Sequence, residues 1–370
     1  MKIVVTGGGG FIGRNLRVGL YELGYQNVVS IERSTGVEDL RAELASADFV
    51  FHLAGVNRPE NVSDFDAGNR VFTAMLCDVL RSSGRKAALV YTSSTQALLD
   101  NPYGMSKRGG ELEVERYASD TGAAVYLLRL PNVFGKWCRP NYNSVVATFC
   151  HNIARRIPIT VNDPSAQLRL VYIDDVVETM LRFVGQPEAP TGGVDVTPAY
   201  DTTVGAVATM LREFAAIRET GIVPRVGVGL TRVLYATYVS YLPLDDFAYT
   251  LTRHLDERGV FVEMLKTSDS GQFSFFTARP GITRGGHYHH TKSEKFLVLK
   301  GRARFGFRHI TTGEMHEVLV SGDESRVVET APGWAHDITN VGDDEMIVML
   351  WANEVFDRNR PDTIAAAVNP

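Results

Sequence analysis

The chain has 370 residues, more than one hydrophobic core usually serves, so two domains are expected. Hydrophobic residues make up 44% and charged residues 22%, the balance of a soluble globular protein, and the net charge of -5 without a Lys/Arg run argues against nucleic acid as the main partner. Three cysteines without a CxxC pair fit a reducing compartment, the stretch before the first glycines is too short for a signal peptide, and no apolar run reaches a membrane span, so a cytoplasmic protein with no membrane association is expected.

In chain order, Ile3–Val5, Val28–Ile31, Phe49–His52, Ala88–Tyr91 and Val125–Leu128 read as buried parallel strands. Helical patterns lie between them at Phe11–Leu23, Asp64–Ser82 and Tyr103–Ser119. This alternation predicts an α/β, Rossmann-like doubly wound parallel sheet. After Arg129 the pattern becomes loop-rich, with helices expected near Asp174–Val184 and Val204–Phe214; such material commonly builds a substrate lobe. From about Phe247 the texture becomes all-β, with short strands at Phe273–Thr277, Phe296–Leu299, Arg302–Phe307, Glu317–Val320, Arg326–Glu329 and Glu345–Trp351, which predicts a small barrel or sandwich. The domain boundary is expected within Ser240–Thr250, dividing the chain into 1–243 and 247–370.

Between the first strand and the first helix lies Thr6–Gly7–Gly8–Gly9–Gly10–Phe11–Ile12–Gly13. Glycines at 7, 10 and 13 suit a tight turn, close approach of a pyrophosphate, and tight helix–strand packing, with the helix N-terminus offering free N–H groups. In this context the run marks a dinucleotide site. The second strand ends Ile31–Glu32–Arg33, where an acidic residue favours NAD and an arginine favours NADP. With Arg14 as a second cation, Arg33 tilts the reading towards NADPH, against the alternative that it is a solvated surface residue.

Tyr103 and Lys107 stand four apart on one helix face, and a lysine charge beside a phenol eases proton transfer to a forming alkoxide. Ser93 and Ser94 close the fourth strand at the edge where such sheets bind ligands. Together with His52–Leu53–Ala54–Gly55 and Arg129–Leu130–Pro131–Asn132–Val133–Phe134–Gly135, these residues resemble the extended short-chain dehydrogenase/reductase family over roughly Met1–Val184. The resemblance implies Ser94, Tyr103 and Lys107 as the catalytic set. It implies Gly7, Gly10, Phe11, Ile12, Gly13, Leu53 and Ala54 with Tyr103 and Lys107 as cofactor contacts, Asn132 as a sugar-nucleotide contact, and a structural role for Asp175. The stretch from Ser94 to Tyr103 is shorter than usual, so Ser93 and Ser94 both stay candidates for facing substrate.

In the second half, Gly281-x5-His287-x-His289-x4-Glu294-x6-Gly301 places two histidines on one strand face. Glu294 follows, and His336 comes from a later strand, with His290 as an alternative to His336. Three imidazoles and a carboxylate suit a divalent metal, Zn foremost, with Ni, Mn or Fe as alternatives. The spacing, with Gly322–Asp323 and Gly333–Trp334–Ala335–His336, resembles the cupins, so a C-terminal all-β cupin barrel is expected. Asp256–Glu263 and Gly281–Tyr288 are similar to the deoxysugar-nucleotide 3,5-epimerase branch, which uses a barrel histidine as base. His287 therefore fits two roles, base and metal ligand.

Both halves together, with Asn57–Arg58–Pro59–Glu60 and Trp137-x-x-Pro140–Asn141–Tyr142–Asn143–Ser144, resemble a family of bifunctional capsular polysaccharide synthesis enzymes acting on UDP-2-acetamido-2,6-dideoxy-4-keto-hexoses. The resemblance implies NADPH-dependent reduction at carbon 4 after epimerisation at carbon 3 by the cupin, on the route to UDP-N-acetyl-L-fucosamine. It also implies a homodimer. The alternative is a reductase whose cupin is a structural or dimerising module.

Overall fold

The computed structural model describes residues 1–184, 192–359 and 361–369. Contacts divide the chain into two compact units, one of residues 1–211 with 229–242 and one of residues 212–228 with 243–370.

The first unit opens with β1 (Ile3–Thr6), α1 (Phe11–Glu22), β2 (Val28–Ile31), α2 (Val37–Ala45) and β3 (Phe49–His52). α3 (Ser63–Asp66) runs through a π-helical turn at Ala67–Val71 into α4 (Phe72–Ser83), followed by β4 (Ala88–Ser94), α5 (Pro102–Thr121) and β5 (Val125–Leu130). Then come β6 (Asn132–Phe134), α6 (Val145–Ala154), β7 (Gln167–Tyr172), α7 (Ile173–Leu181), β8 (Gly192–Val194), β9 (Ala199–Thr203), α8 (Val204–Thr220), whose residues from 212 onward group with the second unit, and α9 (Gly229–Val239).

The main sheet runs β2-β1-β3-β4-β5-β8, with every pairing parallel. Its central strands β1, β3, β4 and β5 are largely apolar because both faces are covered. Ile3, Val5, Phe49, Phe51 and Val90 pack with Leu16 and Leu20 of α1 and Val176 and Met180 of α7. The alternate residues Val4, Val50, Leu89 and Tyr91 pack on the other face with Leu40, Leu76, Leu80 and Val114 from α2, α4 and α5. This is the Rossmann-like doubly wound sheet that the alternating pattern predicts.

The region after Arg129 is more regular than its sequence indicates. β6, β7 and β9 form a second, three-stranded sheet, and α6 supplies another helix. Their strands are short and half-exposed, so they carry little hydrophobic periodicity.

The second unit contains β10 (Arg253–Asp256), β11 (Gly259–Thr267), β12 (Gly271–Ala278), β13 (Thr283–Tyr288), β14 (Glu294–Lys300), β15 (Arg302–His309), β16 (Met315–Ser321), β17 (Val327–Glu329), β18 (Trp334–Asn340), β19 (Met346–Ala352) and β20 (Ile364–Ala365). They form two antiparallel sheets, β10-β11-β12-β19-β14-β17 and β16-β15-β18-β13-β20. Between them lies a core of Phe276, Phe296, Val298, Phe305, Ile338 and Val348. Residues 253–365 of this unit form an all-β cupin-like barrel.

Candidate functional sites

In the first unit, the carboxyl ends of β1, β3, β4 and β5 meet around a cleft of about 620 Å³. The turn after β1 forms one wall. Gly7 has φ +70°, and a Cβ there would lie 2.9 Å from the Ala54 backbone nitrogen. A Cβ on Gly13 would lie 2.3 Å from the Gly7 carbonyl oxygen, so only glycine lets α1 start this close to the turn. Gly10 caps α1 without a side-chain hydrogen bond, which leaves the helix N-terminus facing the cleft for an anionic group. These features fit the pyrophosphate of a dinucleotide.

Gly7, Gly10, Phe11, Ile12, Gly13 and Leu53 line the cleft, and Ala54 backs Gly7. Arg14 also lines it, donating to the Trp137 carbonyl at 2.7 Å. Arg33 is exposed at the end of β2 and is not among the lining residues. The group beside the turn is Glu32: a Cβ on Gly9 would lie 2.9 Å from its Oε2, and Ser30 donates to its Oε1 at 2.7 Å.

Helix α5 carries Tyr103 and Lys107 into the same cleft. It starts there because Asn101 accepts the Gly104 N–H at 2.8 Å and Pro102 occupies the first turn, and it ends at Gly122 in the left-handed region. Tyr103 is a protonated phenol at neutral pH, because burial raises its pKa more than a hydrogen bond with Ser94 lowers it. Lys107 is buried and donates to the Thr92 carbonyl at 2.8 Å. Burial pushes its ammonium down to about 8, partly offset by Glu111. Ser94 is thus the serine beside Tyr103. Ser93, next on the strand, is buried on the side of the Glu111 carboxylate, although both serines border the cleft.

Glu111, one turn beyond Lys107, is fully buried, with Arg129 donating to it at 2.6 and 2.8 Å and Arg108 at 2.9 Å. Burial raises its pKa, but these bonds outweigh it and keep the carboxylate ionised. Asn132 lines the cleft, its amide donating to the Arg169 carbonyl at 3.3 Å. Asp175 is half-buried with its carboxyl held above the usual range, chiefly by burial.

Asn69 has no counterpart in the motifs read from sequence. It sits in the π-helical turn, almost wholly buried, holding Val56 through both its N–H and carbonyl and donating to Ser106 of α5 at 2.9 Å. It borders the cleft beside Gly55, where a Cβ would meet both Asn69 Oδ1 at 2.9 Å and Lys107 Nζ at 3.3 Å. A one-residue bulge in a helix leaves no hydrophobic signature, which is why sequence periodicity passes over it. A separate groove of about 670 Å³ beside α1 and α7 offers Lys136 and Asp174, already joined in an ion pair, and gathers none of these groups.

In the second unit, His287, His289, Glu294 and His336 each bring a ligand atom within 4.8 Å of the others. The antiparallel register sets His287 of β13 directly against His336 of β18, and alternation along the chain brings His289 to the same side. Glu294 opens β14, where its N–H is held by Thr330 at 3.1 Å. Glu294 Oε2 lies 3.3 Å from His289 Nε2 and 3.2 Å from His336 Nε2. Ligands held ~2.0–2.1 Å from a tetrahedral ion lie roughly 3.3 Å apart, so the spacing suits a divalent metal. His290 is exposed and packs edge-on against Tyr288, so His336 rather than His290 completes the cluster.

Lys292, absent from the sequence reading although it lies inside the motif, is buried and pairs with Glu294 Oε1 at 2.8 Å. Burial raises the Glu294 pKa, but His289, His336 and Lys292 more than reverse this and hold it far below the carboxylate range. Burial, then His336, pushes His287 down to about 4, so its ring is neutral at pH 7.

Known proteins agree with both units. Residues 3–196 match the NAD dependent epimerase/dehydratase family, and residues 254–364 match the polysaccharide biosynthesis C-terminal domain. The chain is 56% identical over 368 residues to UDP-2-acetamido-2,6-beta-L-arabino-hexul-4-ose reductase of Pseudomonas aeruginosa, covering 100% of this chain and 99% of that one. Its structure resembles the capsular polysaccharide assembling protein CapF from Staphylococcus aureus, with TM-score 0.91, 44% identity, and coverage of 99% of this chain and 100% of that one. The UDP-glucose 4-epimerase of Thermus thermophilus, at 19% identity and TM-score 0.54 over 65% of this chain and 99% of that one, shares the fold. A nucleotide-binding sheet followed by a barrel with a polysaccharide-biosynthesis signature, matched from end to end, means that this chain belongs to the NAD dependent epimerase/dehydratase family, in the two-domain branch that carries the polysaccharide biosynthesis C-terminal domain.

Proposed function

We propose that the chain reduces carbon 4 of a UDP-2-acetamido-2,6-dideoxy-4-keto-hexose with NADPH, after its barrel has epimerised carbon 3. The observation carrying this reading is the convergence of Ser94, Tyr103 and Lys107 on the cleft that also holds the glycine turn. The proposed division of labour assigns reduction to residues 1–243 and epimerisation to the metal-binding cupin, residues 247–370. The name of the Pseudomonas aeruginosa relative, a reductase of a UDP-linked hexulose, supports the substrate class.

In this reading Gly7, Gly10, Phe11, Ile12, Gly13, Leu53 and Ala54 cradle the cofactor, and Asn132 contacts the sugar nucleotide. When bound, the reduced nicotinamide would supply the hydride to carbon 4. Tyr103, a protonated phenol beside Ser94, donates its proton to the ketone oxygen as carbon 4 is reduced, giving a hydroxyl. Lys107, one turn beyond Tyr103 and donating to the Thr92 carbonyl at 2.8 Å, is assigned the positive charge that favours the phenolate as its proton leaves. NADPH is proposed over NADH on Arg14, which lines the cleft; Arg33 lies outside the lining, and Glu32 beside Gly9 works against that choice.

In the barrel, the carbon 4 ketone acidifies the hydrogen on carbon 3, and a base removes it and returns a proton on the opposite face. A divalent ion held by His287, His289, Glu294 and His336 would supply Lewis-acid stabilisation of the enolate, with Zn the proposed ion. His287, neutral at pH 7, has the protonation state required of either a ligand or a base. Later reduction at carbon 4 removes the ketone and traps the new stereochemistry. A homodimer, a cytoplasmic location and a role in UDP-N-acetyl-L-fucosamine precursor and capsular polysaccharide synthesis complete the proposal.

Incubation with NADPH and the 4-keto UDP-sugar in deuterated water tests both steps. Stoichiometric NADPH oxidation and deuterium at carbon 3 are expected. Turnover without NADPH consumption would overturn the reductase, and reduction without deuterium would leave the cupin a structural module. Tyr103→Phe should lower the reduction rate by roughly 10²–10⁴-fold.

A further inference from the structure

The cluster in the barrel is held in place by a residue some seventy positions further along the chain. β20 pairs with β13, setting Ala365 against His287 and Ile364 against Tyr288, with the Ala366 N–H donating to the Gly286 carbonyl at 2.9 Å. This register brings Asp362 level with the loop that follows His289. Its Oδ1 accepts the His290 N–H at 2.9 Å, and its Oδ2 accepts the N–H groups of Thr291 at 2.7 Å and Lys292 at 2.8 Å. The Thr291 hydroxyl donates to the same oxygen at 3.0 Å. Three successive backbone N–H groups form an anion-binding concavity, here filled by the protein's own carboxylate. Burial works against that charge, but the N–H groups overcome it and hold Asp362 well below the usual carboxylate range.

The backbone of Asp362 makes the second connection, its carbonyl accepting a hydrogen bond from His289 Nδ1. A neutral imidazole that donates from Nδ1 keeps its lone pair on Nε2. That lone pair points at Glu294 Oε2, 3.3 Å away, itself an acceptor. Donation from Nδ1 to the Asp362 carbonyl leaves Nε2, the nitrogen that faces Glu294, as the one that can ligate a metal. Lys292, whose N–H Asp362 also holds, pairs with the other Glu294 oxygen at 2.8 Å and keeps Oε2 turned to the two imidazoles.

We propose that Asp362 is a positioning residue for the barrel's metal centre: through the 290–292 loop and the His289 ring, it fixes the direction of the His289 lone pair and the orientation of Glu294. This rests on the reading of the four-residue cluster as a metal site. Outer-shell partners of this kind typically contribute about 10–100-fold to metal affinity.

The test uses the full-length protein, stripped with a chelator and titrated with cobalt(II) chloride, followed by d–d absorption and by competition with a chelating dye. Asp362→Asn keeps the side chain's size and one acceptor oxygen, so it preserves folding; Asp362→Ala removes both acceptors. Affinity is expected to fall about 10-fold in the Asn variant and nearer 100-fold in the Ala variant, with altered d–d bands in both. Asp357→Asn, at an exposed position in the same tail, should match wild type. Wild-type affinity and spectrum in both Asp362 variants, or an equal loss in Asp357→Asn, would overturn the positioning role while the metal site stands. No cobalt uptake by wild-type protein would overturn the metal site and the positioning role with it.

Discussion

Two groups in the nucleotide cleft have protonation states set by burial in opposite senses. Tyr103 is kept as a neutral phenol, and Lys107 is brought down to about 8. Lys107 is therefore a cation below pH 8 and loses its charge as pH rises through that value. Reduction that draws on this charge should show a kcat/KM against NADPH that is flat near neutrality and falls above pH about 8, since this ratio reports the free enzyme. A limb at pH 10 or beyond would mean that Lys107 titrates like an exposed lysine. Serine choice is also decided at this scale, because successive residues of β4 point to opposite sides and only Ser94 is placed beside Tyr103.

Among the elements, the junction of β1 with α1 is the least forgiving. The start of the helix presses on the turn so closely that a Cβ on Gly13 would stand 2.3 Å from one backbone oxygen and 2.6 Å from the Gly8 Cα, neither of which can swing away. Gly13→Ala should cost roughly 1–3 kcal/mol of stability and, by displacing the helix N-terminus, weaken binding of the nicotinamide cofactor, proposed to be NADPH, more than it slows the step after binding. Chemical denaturation and a dye-free fluorescence titration of NADPH would check the pair of effects; unchanged affinity would mean the turn yields. α5 shows the same economy of local signals: Asn101 and Pro102 start it, Gly122 stops it, and four-residue spacing does the rest. In contrast, the π-helical turn that aims Asn69 at Gly55 and Ser106 needs the packing of α3, α4 and α5 to exist.

For the molecule as a whole, each unit has its own core and its own site, so the two proposed steps should separate chemically. On the proposed reading, a chelator that removes the barrel's proposed metal is expected to abolish deuterium exchange at carbon 3 while leaving hydride transfer from NADPH to an already epimerised ketone. Restoring zinc to about a thousand times its dissociation constant should raise the barrel's stability by about 4 kcal/mol, read as an upward shift in its melting transition. Equal inhibition of both steps by the chelator would contradict independent sites.

The amino-acid sequence alone determined the class of each half and named most of the residues that the fold gathers in each candidate site. The glycine turn, the Tyr103–Lys107 spacing and the His287–His289–Glu294 motif are local patterns, and their chemistry follows from a few neighbouring positions. Alternating apolar runs likewise announced the parallel sheet, since strands buried on both faces must be apolar throughout. Tertiary structure alone decided which serine meets Tyr103, that His336 and not His290 completes the cluster, and that Asn69, Lys292 and Asp362 stand against these sites. The physical reason is range: a helix or strand period relates residues a few positions apart, whereas Asp362 reaches His289 only because β20 pairs with β13 across more than seventy residues of chain.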